Sequence, residues 1–243
     1  MYKSPGPSDR IINGKPSKGY PWVASLQMSG GSHFCGGALI APSVVLTAGH
    51  CVIGLGASEI SVQIGSQKLD DAKDLGTRYN VQSIYIPENF MLTHNPQGKG
   101  LIDLSNDIAI LKLSKVSTLP TIKLDFDDIQ KKSGDLVTAM GYGRVGGEIA
   151  NQSPRPLNEV KLQISPDNYC ENIFQMFNKT QSLCLIGTDD NMNGSTCKGD
   201  SGGPLLFQNM AIGVVSYGKL GCSGGVSVFT KISAYSEFIK QFI

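Results

Sequence analysis

Histidine is scarce in this chain: three residues among 243, at positions 33, 50 and 94, with none after His94. Any histidine-dependent chemistry must therefore draw its base from the first part of the sequence. Tryptophan occurs once, charged residues make up only 17%, and Lys+Arg 21 against Asp+Glu 20 leaves a formal charge of +1. That balance gives no bulk electrostatic case for a nucleic-acid or membrane-surface partner. Sparse charge also excludes a coiled coil or a disordered chain. No apolar run approaches the ~20 residues of a membrane helix. No cysteine pair has C-x-x-C spacing, so a zinc cluster is a poor reading.

What the chain does have is glycine, 29 residues, and an even count of six cysteines: Cys35, Cys51, Cys170, Cys184, Cys197 and Cys222. Dispersed and even in number, they read as three disulfides and imply an oxidising, secretory route. Residues 1–10 lack the apolar core of a signal peptide. The expectation is a secreted protein whose signal segment is absent from this sequence.

Short apolar, β-branched runs recur between Gly, Pro, Ser, Asn and Asp clusters. They are Val23–Met28, Ala38–Leu46, Ile60–Ile64, Val81–Ile86, Ile108–Leu113, Leu136–Met140, Val160–Ile164, Pro204–Phe207, Ala211–Val215 and Val226–Thr230. Their lengths predict an all-β protein of the sandwich or barrel kind. Only the tail departs: Tyr235, Phe238, Ile239 and Phe242 recur at i, i+3, i+4 and i+7, which predicts an amphipathic helix with Ser233 as N-cap. Residues 114–130 read as a linker between two halves, and no repeat of solenoid period is evident.

The chemistry concentrates in Cys197-Lys198-Gly199-Asp200-Ser201-Gly202-Gly203-Pro204. A serine hydroxyl is a weak nucleophile that needs a base, and the oxyanion it creates needs donors. Flanking glycines let the backbone turn tightly and aim N–H groups at one point. Gly199–Gly203 also fits G-x-S-x-G, the nucleophile elbow, but that fold requires a histidine after the serine; here there is none. The base lies upstream. His50, in Leu46-Thr47-Ala48-Gly49-His50-Cys51, sits at a strand end clamped by a cysteine, whereas His33 and His94 lack comparable scaffolding. Asp107, at the mouth of the apolar run Ile108–Leu113, is the candidate orienting acid.

The order His50, Asp107, Ser201 is that of the chymotrypsin type of triad. With Arg10-Ile11-Ile12-Asn13-Gly14, Thr47–Cys51, Asn106–Leu111 and Gly199–Pro204 in sequence, residues 10–243 resemble a chymotrypsin/trypsin-family serine endopeptidase. The resemblance implies two packed six-stranded antiparallel β-barrels and a C-terminal helix. Its boundaries would be a propeptide over 1–10, barrel one over about 23–113, a linker over about 114–130, barrel two over about 131–230 and the helix over about 233–243. It implies that Ser201 is the nucleophile, His50 the proton shuttle and Asp107 its orienter, with the amides of Gly199 and Ser201 as oxyanion hole. It pairs Cys35–Cys51, Cys170–Cys184 and Cys197–Cys222. Arg10-Ile11 would be an activation bond whose freed amine pairs with Asp200, making the uncleaved chain a zymogen.

By the same resemblance Ser195, Gly218 and Ser227 line the specificity pocket. No carboxylate stands at Ser195 to meet a basic side chain, so cleavage after large apolar residues (Phe, Tyr, Leu) is expected. Elastase-like or collagenolytic breadth is the alternative, because the Ser227 hydroxymethyl would shorten the pocket. An enzyme with apolar preference does not readily cut Arg10-Ile11, so a separate trypsin-like protease is the expected activator. Other expected partners are protein or peptide substrates and protein protease inhibitors, acting on a monomer with no cofactor. Asp70, Asp71 and Asp74 fall where relatives carry a calcium loop, but Ser66, Lys73 and Gly76 replace ligands, so no metal is expected. Asn178-Lys179-Thr180 fits a glycosylation acceptor. The competing class is a protease-like binding protein without catalysis, against which all three triad residues stand.

Overall fold

A computed structural model describes residues 11–71, 73–74, 76–94, 102–143, 155–166, 168–175, 177–219, 222 and 224–243. The expected propeptide, with Arg10, lies outside these residues. Six strands form the first barrel: β1 (Val23–Met28), β2 (His33–Ala41), β3 (Val44–Thr47), β4 (Ile60–Ile64), β5 (Thr77–Tyr85) and β6 (Ala109–Leu113). They close antiparallel in the ring β1-β2-β3-β6-β5-β4. Six more form the second: β7 (Leu136–Gly141), β8 (Asn158–Ile164), β9 (Ser182–Gly187), β10 (Pro204–Phe207), β11 (Met210–Gly218) and β12 (Val226–Lys231). Their ring, β7-β8-β9-β12-β11-β10, repeats the same order. Closure pairs both edges of each barrel sheet, so neither barrel presents an edge strand.

Strands of the first barrel are covered on both faces even where apolar and polar residues alternate along them. All five residues of β4 are buried, as are Val23–Gln27 of β1. The run expected over Ala38–Leu46 is two strands, because Pro42 and Ser43 form a tight turn between Ala41 and Val44, which face each other. Proline has no N–H for the ladder and ends the strand.

Straps cross between the barrels. Lys15–Pro16 pairs with Glu159 and Asn158 of β8, and Lys123–Leu124 pairs in parallel with the start of β11. At the other end Tyr235, Phe238, Ile239 and Phe242 all pack on the core of barrel one, as their spacing predicts. The helix itself is shorter than expected, and Ser233 does not cap it. Ser233–Tyr235 is a 3-10 turn, and the α-helix runs only over Ser236–Lys240. Tyr235 leaves helical geometry (φ −118°, ψ 21°) and donates its hydroxyl to Asn106 Oδ1 at 3.0 Å. The three disulfides join Cys35–Cys51, Cys170–Cys184 and Cys197–Cys222.

Candidate active site

His50 lies not on a strand end but in a four-residue helix, Gly49–Val52, that follows β3. Glycine is needed at 49: a β-carbon there would come within 2.9 Å of the Phe90 ring and 3.2 Å of the Ile108 carbonyl. Asp107 enters just before β6 from Asn106, whose φ of +54° asparagine tolerates better than most residues. Asn106 is pinned by donating to the Asn89 carbonyl at 2.7 Å.

Asp107 is buried, so its carboxylate must be fully partnered. Its Oδ1 accepts the His50 backbone N–H at 2.8 Å. Its Oδ2 accepts from His50 Nδ1 at 2.8 Å and from the Ser216 hydroxyl. A carboxylate can only accept, so Nδ1 carries the proton and Nε2, 3.8 Å from the Cys51 sulfur, keeps its lone pair. From β12 the Thr230 hydroxyl donates to the Asp107 carbonyl at 2.7 Å. Barrel two thus grips the acid that barrel one supplies. Ser216 and Thr230 are commonplace residues in sequence, and only the fold reveals them.

Ser201 is held against both walls through its backbone. Its carbonyl accepts from Gly36 N at 2.7 Å, and the next amide, of Gly202, donates to Val215 O at 2.8 Å. Gly202 has φ +79°, and a β-carbon there would collide with Thr47 Oγ1 and the Gly36 carbonyl. The Ser201 turn therefore rests on Thr47–Ala48, which lead into His50, and on Val215, which leads into Ser216. Among the described residues no hydrogen bond joins Ser201 Oγ to His50. Such contacts are often long before substrate binds.

Gly199 has φ +94°, a conformation that favours glycine. Its carbonyl accepts from His33 Nε2 at 3.0 Å, and His33 Nδ1 lies 2.8 Å from Ser25 Oγ. His33 is a correction to the sequence reading. It opens β2, is buried, and sets the direction of the Gly199 carbonyl. Among the described residues the amides of Gly199 and Ser201 have no acceptor.

Asp200 is fully buried beneath this loop. Oδ1 accepts from Gly143 N and Oδ2 from Cys197 N, both at 2.9 Å. Gly141 and Gly143 make the cradle, since a β-carbon on either would drive into the carboxylate. Burial pushes the Asp200 carboxyl up to about 7 despite the two N–H donors. No cation among the described residues pairs with it. Ile11 is fully buried in the core of barrel two, against residues such as Val137, Leu205 and Val215. It is held at φ +39°, strained for a β-branched residue.

Beside Ser201 opens a cavity of about 170 Å³ with Val215, Tyr217, Gly218 and the Cys197–Cys222 bridge in its wall. It is below the few hundred Å³ of a drug-sized site and suits one side chain. Of the three expected pocket residues, Gly218 lines it. Ser195 and Ser227 are buried outside its lining: Ser195 Oγ donates to the Cys222 carbonyl at 3.1 Å, and Ser227 Oγ accepts from the amide and hydroxyl of Thr196 at 3.1 and 3.0 Å. In the acidic loop, Asp74 Oδ2 accepts from the amides of Gln67 and Lys68 at 2.6 and 2.7 Å. The acceptor Asn178 Oδ1 receives the Thr180 hydroxyl at 2.7 Å.

The trypsin family profile matches residues 11–239. Chymotrypsin-2 of the hornet Vespa crabro is 31% identical over 226 residues, covering 93% of this chain and 95% of that protein. Human (Homo sapiens) cathepsin G is 33% identical over 240 residues, 95% of this chain and 86% of its own. Mouse (Mus musculus) neutrophil elastase is 30% identical over 247 residues, with 98% and 84% covered. Human heparin binding protein, at 24% identity, superposes with TM-score 0.75 over 95% of this chain and 96% of that one, a likeness of fold alone.

Proposed function

The chain belongs to the trypsin family of serine endopeptidases, and on that premise we propose that it is a secreted endopeptidase, activated at Arg10-Ile11, that cleaves after large apolar residues. Ser201 Oγ attacks the scissile carbonyl as its proton passes to His50 Nε2. Asp107 holds the Nδ1–H tautomer and balances the imidazolium that forms. The developing oxyanion turns to the free amides of Gly199 and Ser201, each donor contributing ~3 kcal/mol. His50 then protonates the leaving amine, and water reverses the sequence to release the acyl group. The observation that carries this reading is the grip of buried Asp107 on both Nδ1 and the amide of His50, at the wall on which the Ser201 turn rests.

Activation follows from Asp200. A fully buried carboxyl with two amide donors and no cation beside it among the described residues is costly to ionise. Cleavage before Ile11 supplies the missing charge as an α-ammonium, and it deletes the strained φ of Ile11, since a first residue has no such dihedral. The buried Ile11 side chain already anchors that end in barrel two. Pairing would raise the amine above its ordinary ~8, so the active form is favoured below ~8 and fades as pH climbs through the raised value.

Large apolar preference is supported by the cavity wall, which carries Val215, Tyr217 and a disulfide but no carboxylate for a basic side chain. With Ser227 engaged by Thr196 rather than turned into the cavity, it is not an obstacle to a long side chain. Such an enzyme leaves Arg10-Ile11 to a trypsin-like activator. Three disulfides support an oxidising destination.

Brief trypsin treatment, followed by assay on peptides varied at the residue before the scissile bond, tests this. Activity appearing only after cleavage and led by Phe, Tyr or Leu supports both parts. A profile led by Ala and Val retains the protease and replaces the preference with an elastase-like one. Silence with Ile11 confirmed as N-terminus, and no phosphonate labelling of Ser201, assigns the chain to non-catalytic binding.

A further inference from the structure

We infer that Lys198 and Lys219 form a cationic rim that selects peptide substrates carrying a carboxylate next to the residue held in the cavity; the inference rests on the endopeptidase reading. Both lysines line the cavity beside Ser201, and no Asp or Glu does. They belong to two different segments of the chain. Lys198 immediately precedes Gly199, and Lys219 immediately follows Gly218 at the end of β11, with the Cys197–Cys222 bridge between their segments. Neither ammonium has an acidic partner among the described residues, whereas Lys131, Lys179, Lys231 and Lys240 each have one.

The local carboxylates do not neutralise the rim by contact. Asp107 and Asp200 are buried and turn their oxygens to donors of their own, His50 and Ser216 for the first, Gly143 and Cys197 for the second. The Lys219 side chain runs past Gly224, where a β-carbon would stand in ordinary contact, 3.6 Å from its Cδ and Nζ. The deeper wall is apolar, so a carboxylate inside the cavity would be desolvated without a partner. A carboxylate at the mouth meets two flexible ammonium groups while remaining in water. The arrangement fits an apolar side chain within and acidic neighbours on either side of it.

The test uses chain cleaved before Ile11 and internally quenched peptides with Phe in the cavity position. Glu, Gln or Lys is placed at each of the two positions on either side. At low salt the best Glu peptide should exceed its Gln isostere by about threefold to tenfold in kcat/KM, with Lys below Gln. Roughly 0.5 M salt should collapse the preference. The Glu-to-Gln ratio should fall to about one in the double variant K198Q/K219Q and invert in K198E/K219E. A wild-type ratio near one, or a ratio unchanged in both variants, overturns the inference while leaving the protease intact. A ratio that survives high salt also overturns it. Failure to cut any peptide, without phosphonate labelling of Ser201, removes the endopeptidase reading and the rim's role with it. Loss of the Glu preference on adding a heparin oligosaccharide at physiological salt, with the oligosaccharide bound more tightly than any Glu peptide, reassigns the rim to polyanions and overturns it too.

Discussion

Asp200→Asn in the uncleaved chain isolates the charge on which the activation reading turns. In the folded chain the carboxyl ionises at about 7, against the ordinary 3.8. Between those values the unfolded chain has released a proton that the folded chain keeps. Stability therefore falls as pH rises, by about 1.4 kcal/mol per pH unit. Over the roughly three-unit window the loss reaches about 4 kcal/mol, flat below pH ~4 and flat again above pH ~7. Asparagine has no such titration. It does turn an NH₂ toward one of the two amide donors, so the variant should start lower at pH 4, by about 1–2 kcal/mol.

Denaturant unfolding of both proteins at several pH values between 4 and 8.5, with disulfides intact, gives the difference curve. Subtraction cancels every other titrating group. Wild type should lead at pH 4, and the lead should shrink and reverse by pH 8. Wild type cleaved before Ile11 should lose the slope, because an ammonium then pairs the carboxylate and reverses the sign of its contribution. A difference curve flat to within about 1 kcal/mol across the window would refute the reasoning, since Asp200 would then ionise without penalty before cleavage.

Three further outcomes follow from the same geometry. Ser216→Ala removes a donor from the buried Asp107 carboxylate and should lower kcat/KM of the activated enzyme about tenfold to a hundredfold, with Ser216→Thr restoring part; an unchanged pH profile of kcat/KM would deny Ser216 any part in positioning Asp107. Lys131→Met strands Asp125, which is buried and pairs with Lys131 Nζ at 2.9 Å, and should cost about 3–5 kcal/mol, read as a fall in Tm of about 10 °C. Asp125→Asn combined with Lys131→Met should recover much of that. Gly202→Ala places a methyl on Thr47 Oγ1 at φ +79° and should abolish peptide hydrolysis or prevent folding; a well-folded, fully active variant would contradict the described path of the Ser201 turn.

The strands were legible wherever apolar residues ran together. Val23–Met28, Ile60–Ile64 and Pro204–Phe207 are strands over the very residues that the composition marks. Ser182–Gly187 escaped notice because serine, cysteine and glycine interrupt its leucines, although it completes the second barrel. So did the hairpin of Met91–His94 with Ile102–Ser105, whose run is short and mixed. The common ring order of the two barrels also lay beyond a search for solenoid periods, because it recurs at nearly half the chain length.

The same division runs through the site. Ser201, His50 and Asp107 stand out as candidates because each sits in a short segment whose local chemistry is unusual: a glycine-flanked serine, a histidine beside a cysteine, an aspartate ahead of an apolar strand. The residues that hold them are not. Ser216 reaches Asp107 across 109 positions, Thr230 across 123, and His33 reaches Gly199 across 166. A buried serine, threonine or histidine is ordinary until its partner is known, and here each partner belongs to the other barrel. The site is assembled at the junction of two closed sheets, so no single stretch of chain can contain its supports. Substitutions among those supports should therefore disturb orientation before they disturb folding, because each barrel closes its own hydrogen-bond ring without them.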